Sequence, residues 1–124
     1  MPVIGLDHVQ VAAPRREGVE EEARAFYGKL LGLQEVEKPD ALRPKGGVWF
    51  SLGAGELHVG LEDEFTPARK AHPALLVSGL AELRARLESA GLPMYEAERI
   101  PGVERFYVFD PFGNRVELME RTGP

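Results

Sequence analysis

The chain repeats itself. Gly32 and Gly91, Leu33 and Leu92, Phe50 and Phe109, and His58 and Glu117 are each 59 positions apart in a sequence of 124 residues. Self-similarity at a fixed spacing marks a duplicated structural unit, in which each copy must fold on the same pattern. The opening strands fit a spacing of 64 instead, His8 against His72. The first half therefore carries five extra residues between its opening strand and its helix, and residues 13–18 are the natural place for them.

Each half reads in the same order. Residues 3–12 alternate and are rich in β-branched side chains, which predicts a strand closed by Pro14. Val19, Ala23, Phe26, Tyr27, Leu30 and Leu31 then recur at helical spacing, with Glu20, Glu21 and Glu22 in the first turn and Gly32 past the end. Residues 33–37 form a short strand and 38–46, with Pro39, Pro44 and Gly46, a loop. Strands at 47–52 and 56–61 flank Gly53-Ala54-Gly55, which suits a tight hairpin. The second half repeats this with strands at 72–77, 94–98, 103–109 and 115–120 and a helix over 79–90. Ser78 is the candidate N-cap of that helix and Gly91 its stop. The DPFGN run between the last two strands is a turn. The expectation is an α+β fold of two βαβββ modules, about 3–62 and 72–120, joined by linker 63–71 in one domain.

Composition excludes several classes. With 44% hydrophobic residues the chain has material for one compact domain. A formal charge of −5 repels a phosphate backbone, so nucleic acid is not an expected partner. No run is apolar enough to cross a bilayer and no secretory leader is legible, so the reading is a cytoplasmic protein with no membrane partner. Cysteine is absent, so any metal must be held by nitrogen and oxygen.

Chemistry concentrates on equivalent strands. Residues two apart share a strand face, so His8 lies with Gln10, His58 with Glu56, and Glu117 with Arg115 and Met119. The chain has three histidines, and each sits on the first or fourth strand of a half. A lone strand histidine is usually a packed, hydrogen-bonded residue, but three on repeat-related strands favour a metal. If the halves curl toward each other, the four side chains can converge, each imidazole binding a cation through one nitrogen while the other is oriented by an acceptor. Glu117 on an apolar strand needs a compensating cation, which a metal or Arg115 can supply. Arg69, Lys70, Arg99 and Arg105 read either as a basic rim or as exposed linker charge. Tyr95 and Tyr107 read as donors or as packing.

The stretches LDHVQVAAP, AFYGKLLGL, AHPALLV and FYVFDPFGNRVELME together resemble the vicinal oxygen chelate superfamily of glyoxalases, bleomycin-resistance proteins and extradiol dioxygenases, over roughly residues 4–120. That resemblance implies two βαβββ modules forming a cupped mixed sheet, with a divalent transition metal (Ni, Co, Mn, Fe or Zn) held by His8, His58, His72 and Glu117. It implies a homodimer in which the first module of one chain faces the second module of another. The implied activity is a glyoxalase-like, metal-dependent lyase or isomerase acting on a small substrate that chelates through adjacent oxygens. Glu117 or Glu56 would be the catalytic group that moves the proton. His8, His72 and Glu117 alone resemble a two-histidine, one-carboxylate set. Four ligands would close a tetrahedral zinc site, whereas a six-coordinate ion keeps two positions open. The alternative from another class is a metal-free ligand-binding or drug-sequestering protein of the bleomycin-resistance type, and a third reading is an extradiol-type dioxygenase.

Overall fold

The computed structural model describes residues 1–123. The chain divides into two compact units, one from Met1 to Pro67 and one from Ala68 onward. The first contains β1 (His8–Pro14), α1 (Val19–Ala23), a π-helical continuation (Arg24–Leu30), β2 (Gln34–Val36), a 3₁₀ segment (Asp40–Lys45), β3 (Val48–Ser51) and β4 (Glu56–Glu62). The second contains β5 (Ala74–Leu76), α2 (Leu80–Ser89), β6 (Tyr95–Glu96), β7 (Val103–Phe109) and β8 (Arg115–Arg121). Each unit folds a four-stranded mixed sheet, in the orders β1-β4-β3-β2 and β5-β8-β7-β6. In both, the first strand runs parallel to the last and the remaining pairs are antiparallel. The α+β class and the duplicated βαβββ order expected from the sequence are therefore present.

Alternation sets what each sheet buries. Val11 and Ala13 of β1, Val48 and Phe50 of β3, and Leu57 and Val59 of β4 pack with Val19, Ala23, Phe26 and Tyr27. In the second unit Leu75, Phe106, Val108, Val116 and Leu118 pack with Leu80, Leu83 and Leu87 of α2. The opposite face of each sheet is left to carry His8, Gln10, His58, Arg105, Tyr107 and Glu117.

Strand register confirms one detail of the repeat and corrects another. His58 and Glu117 are equivalent, since Gln10 pairs with His58 and Ala74 with Glu117, which preserves the spacing of 64 in the first strands. Phe50, however, pairs with Leu57, and the equivalent partner of Val116 is Val108, not Phe109. Phe50 is fully buried, whereas Phe109 is 39% exposed. The cause is turn length: Ser51 pairs with Glu56 across residues 52–55, but Phe109 pairs with Arg115 across residues 110–114, one residue more. Buried Asp110 organises that longer turn, its carboxylate accepting from the backbone N–H of Phe112 (2.9 Å) and Asn114 (2.8 Å).

The extra residues of the first half also divide differently. The starts of the helical segments, Val19 and Leu80, are 61 apart. Three of the five extra residues therefore precede the helix, and two lie within it. They are taken up as π-helix, whose wider turn (Leu31 N–H to Phe26 O, 3.0 Å) absorbs insertions. The same wide turn buries the consecutive Phe26 and Tyr27 together.

Three local expectations are overturned. The opening strand begins at His8, because β4 offers no backbone partner before Asp7, whose carbonyl takes the Glu56 N–H; Met1, Val3, Ile4 and Leu6 are exposed. Residues 40–45, expected as loop, make a 3₁₀ helix despite Pro44. The α2 N-terminus is capped not by Ser78 but by Glu120 of β8, which accepts the N–H groups of Gly79 (2.9 Å) and Leu80 (3.0 Å). A carboxylate suits the unsatisfied donors and positive dipole end of a helix. These two hydrogen bonds hold the Glu120 carboxyl below its ordinary 4.5. Its stabilising contribution is thus complete above that ordinary value and is lost as pH falls through the lowered one. Glu120→Gln is expected to destabilise the protein at pH 7, with the gap to the parent closing in acid; urea unfolding at pH 7 and pH 3 measures it.

Candidate functional site

In the first unit, β1 and β4 present a stack of rings. His8 lies 4.3 Å from His58 at 18° between planes, and the other face of His58 lies 3.7 Å from the Trp49 indole at 2°. The stack follows from register, because Trp49 and Gln10 both pair with His58 from the strands on either side, and His8 is two residues along from Gln10 on the same face. Sandwiched in this way His58 is 4% exposed, and its Nε2–H donates to Glu56 Oε1 at 2.9 Å. His8 is more open; its Nδ1–H donates to Asp7 at 2.9 Å, leaving Nε2 without a protein partner among the described residues.

In the second unit His72, expected to open a strand, lies two residues before β5, and the Glu117 N–H donates to the Pro73 carbonyl (3.0 Å), which sets His72 beside Glu117. His72 Nδ1–H donates to the Lys70 carbonyl at 2.8 Å, and Nε2 faces Glu117 Oε1 at 2.9 Å. Glu117 is 7% exposed, and its Oε2 accepts from Arg105 Nη1 at 3.1 Å. Arg105 also donates to the Tyr107 hydroxyl (3.2 Å) and, from Nε and Nη2, to the Glu98 carbonyl. The Tyr107 ring meets His72 edge-on at 5.4 Å and carries Arg115 over its face at 4.9 Å.

The donors can be tested against a divalent ion. With Nδ1–H committed to a carbonyl, a neutral His72 aims an Nε2 lone pair at a carboxylate oxygen, which calls for a proton or a cation between them. At 2.9 Å the two atoms are also near enough to share one cation as ligands. Lys70 O and Arg105 then act as the outer partners that orient a ligating histidine and a ligating carboxylate. This pair fits a metal. The first unit fits in part, since imidazole lone pairs lie in the ring plane and near-parallel stacked rings cannot aim at one ion, so in this arrangement one of His8 and His58 can ligate. Among the described residues, no group of three or more His, Asp or Glu side chains that could hold a metal ion is formed.

Of the sequence candidates, His8, His58 and Glu56 stand together in the first unit, and His72 and Glu117 in the second. Register makes His58 the equivalent of Glu117, and Glu56 that of Arg115. The cation beside Glu117 is Arg105; Arg115 lies on the Tyr107 ring instead. Period two along β7 places Arg105 and Tyr107 on one face, and this signal could have singled out Arg105. The stacking role of Trp49 also escaped the sequence reading, although it is the one tryptophan of the chain and sits on an alternating strand. Tyr95 is half exposed and packs edge-on against Phe109 at 5.4 Å.

The family model of the Glyoxalase/Bleomycin resistance protein/Dioxygenase superfamily matches residues 5–118. Among solved structures, a glyoxalase family protein from Bacillus anthracis is similar at 50% identity, with 96% of each chain covered and a TM-score of 0.90. Lactoylglutathione lyase from Agrobacterium tumefaciens is similar at 25% identity over 97% of this chain and 96% of that one, with a TM-score of 0.73. A fosfomycin resistance protein from Listeria monocytogenes shares the fold at 17% identity and a TM-score of 0.76, covering 98% of this chain and 93% of that one. No curated protein matches the chain. A model match over nearly the whole length, two βαβββ units and this placement of histidines and carboxylates lead to one conclusion: the chain belongs to the glyoxalase/bleomycin resistance protein/dioxygenase superfamily.

Proposed function

We propose that the protein is a metal-dependent, glyoxalase-like enzyme of the lyase or isomerase type, acting on a small substrate with two adjacent oxygens. The observation that carries this reading is the pair of half-buried His72 Nε2 and buried Glu117 Oε1, 2.9 Å apart, with each group held from behind, by Lys70 O and by Arg105. His72 and Glu117 would hold a divalent transition ion, with His8 and His58 as the remaining ligand candidates. Such an ion, when bound, polarises neighbouring substrate oxygens as a Lewis acid. The chain's own residues do the rest. Glu117 has both oxygens engaged, which suits a ligand and leaves proton transfer to Glu56, whose half-exposed carboxylate is steadied by His58. The Tyr107 hydroxyl and Arg105 stand beside His72 and Glu117 as donors that orient an oxygen of the substrate. The lyase similar in fold lends its reaction type to this proposal, which includes assembly as a homodimer.

One observation favours a second reading, a metal-free binding protein: Arg105 already neutralises Glu117. Metal analysis separates the two. Protein purified without chelator or polyhistidine tag is expected to carry one equivalent of transition metal per chain and to sediment as two chains. Retention of no metal, with melting temperature unchanged on adding Ni, Co, Mn or Zn, would establish the second reading.

A further inference from the structure

We propose that the first unit holds a subsite for an anionic oxygen group, a carboxylate or a phosphate on the substrate, in the cavity between Lys38, Lys45 and Gln10. This deepens the functional reading by naming the substrate's chemistry and rests on it for the word substrate; anion binding itself requires no metal.

The cavity, of about 480 Å³, lies along β1, β3 and β4, with Arg15, Lys38 and Lys45 on its wall and no carboxylate among its lining residues. That is unusual in a chain of net charge −5. Arg15 is already paired with Asp63 at 2.8 Å, so the unbalanced charge is that of the two lysines. Lys38 is half-buried and gives one hydrogen bond, to the Gly46 carbonyl; the Lys45 ammonium has no protein partner among the described residues. Burial holds the Lys38 ammonium below the ordinary lysine range and Lys45 pushes the same way, against the raising effect of Glu20. Glu20 is not a lining residue, and its carboxylate accepts the Gly47 N–H at 3.0 Å. The Lys38 ammonium is partly desolvated and that of Lys45 is exposed, and an anion entering beside them offsets the desolvation of the first and the weaker repulsion between the two.

A third donor completes the set. The Gln10 amide lies directly on Gly60, where a Cβ would come within 2.8 Å of Nε2, and has no protein hydrogen-bond partner among the described residues. Glycine at 60 thus leaves room for an unengaged amide on the cavity floor. The cavity is joined to the ring stack through Trp49, which lines it and also stacks on His58. A molecule with its anionic end at Lys38 and Lys45 lays its body along the indole beside the imidazoles. The volume suits a small metabolite.

Trp49 is the sole tryptophan and reports occupancy directly. Titration of the purified protein with inorganic phosphate and with malonate is expected to change its fluorescence saturably, equally with and without EDTA, whereas neutral malonamide leaves it flat. Tighter phosphate binding identifies a phosphate ester as the natural group, and tighter malonate binding a carboxylate. Lys38→Met and Lys45→Met are each expected to weaken binding about tenfold or more, the loss of a charged hydrogen bond. Lys29→Met, at an exposed lysine elsewhere, leaves it unchanged. Gly60→Ala keeps every charge and displaces the Gln10 amide; weaker binding there supports the subsite even where Lys38→Met fails to fold. No saturable change with either anion, an equal response to malonamide, or parental affinity in both lysine variants overturns the proposal. Saturable binding by a protein that retains no metal would sink the metal reading and leave the subsite standing.

Discussion

Glu117→Gln protein, purified beside the parent without chelator, is expected to retain less than about a tenth of the parent's transition metal, the usual scale for losing a ligand or its support. The amide matches the carboxylate in shape and can still hydrogen-bond to Arg105, so the change removes charge and basicity while sparing the packing around a 7% exposed side chain. His72→Ala is expected to act alike, since it removes the imidazole that the Lys70 carbonyl orients. Element analysis gives the stoichiometry, and the visible spectrum of cobalt-loaded protein reports the ligand field independently of turnover. A metal content that survives both substitutions would remove this pair from the site.

The second large effect concerns the scaffold. Phe50→Ala is expected to cost about 3–5 kcal/mol, because a fully buried aromatic ring leaves a cavity beside Tyr27 and Gly28. For a chain of this size that lowers the melting temperature by about 10–20 °C. Phe109→Ala, at the position 59 residues on, is expected to cost about 1 kcal/mol or less, since that ring is 39% exposed and touches Tyr95 at the sheet edge. Thermal unfolding of the two variants tests whether strand pairing or residue counting gives the true equivalence of the halves.

The contrast shows where the sequence was legible. Period-two strands, the helix stripes and the doubled order depend on local alternation, and they appear in the fold, although the opening strand starts at His8 and the first helix continues as π-helix. The equivalence of His58 with Glu117 was legible too, because both follow the hairpin turn, whose extra residue in the second half restores the spacing of 59. The phase of β3 against β7 was not, since it hangs on one residue of turn length and on the Asp110 hydrogen bonds that shape the longer turn. The partner of Glu117 was misread for a similar reason. Same-strand alternation favoured Arg115, but Tyr107 pairs with Glu117 and Arg105 reaches it diagonally across the antiparallel ladder. Capping of α2 by Glu120 spans some 40 residues, beyond any local signal.

The π-helical stretch at Arg24–Leu30 has a bearing on how such a chain diverges. A half that takes up surplus length as a swollen helical turn lets copying errors accumulate without disturbing which strand residues face each other. Insertions and deletions between homologous halves should therefore gather in this segment and in the hairpin tips, while the sheet positions that carry chemistry stay in phase.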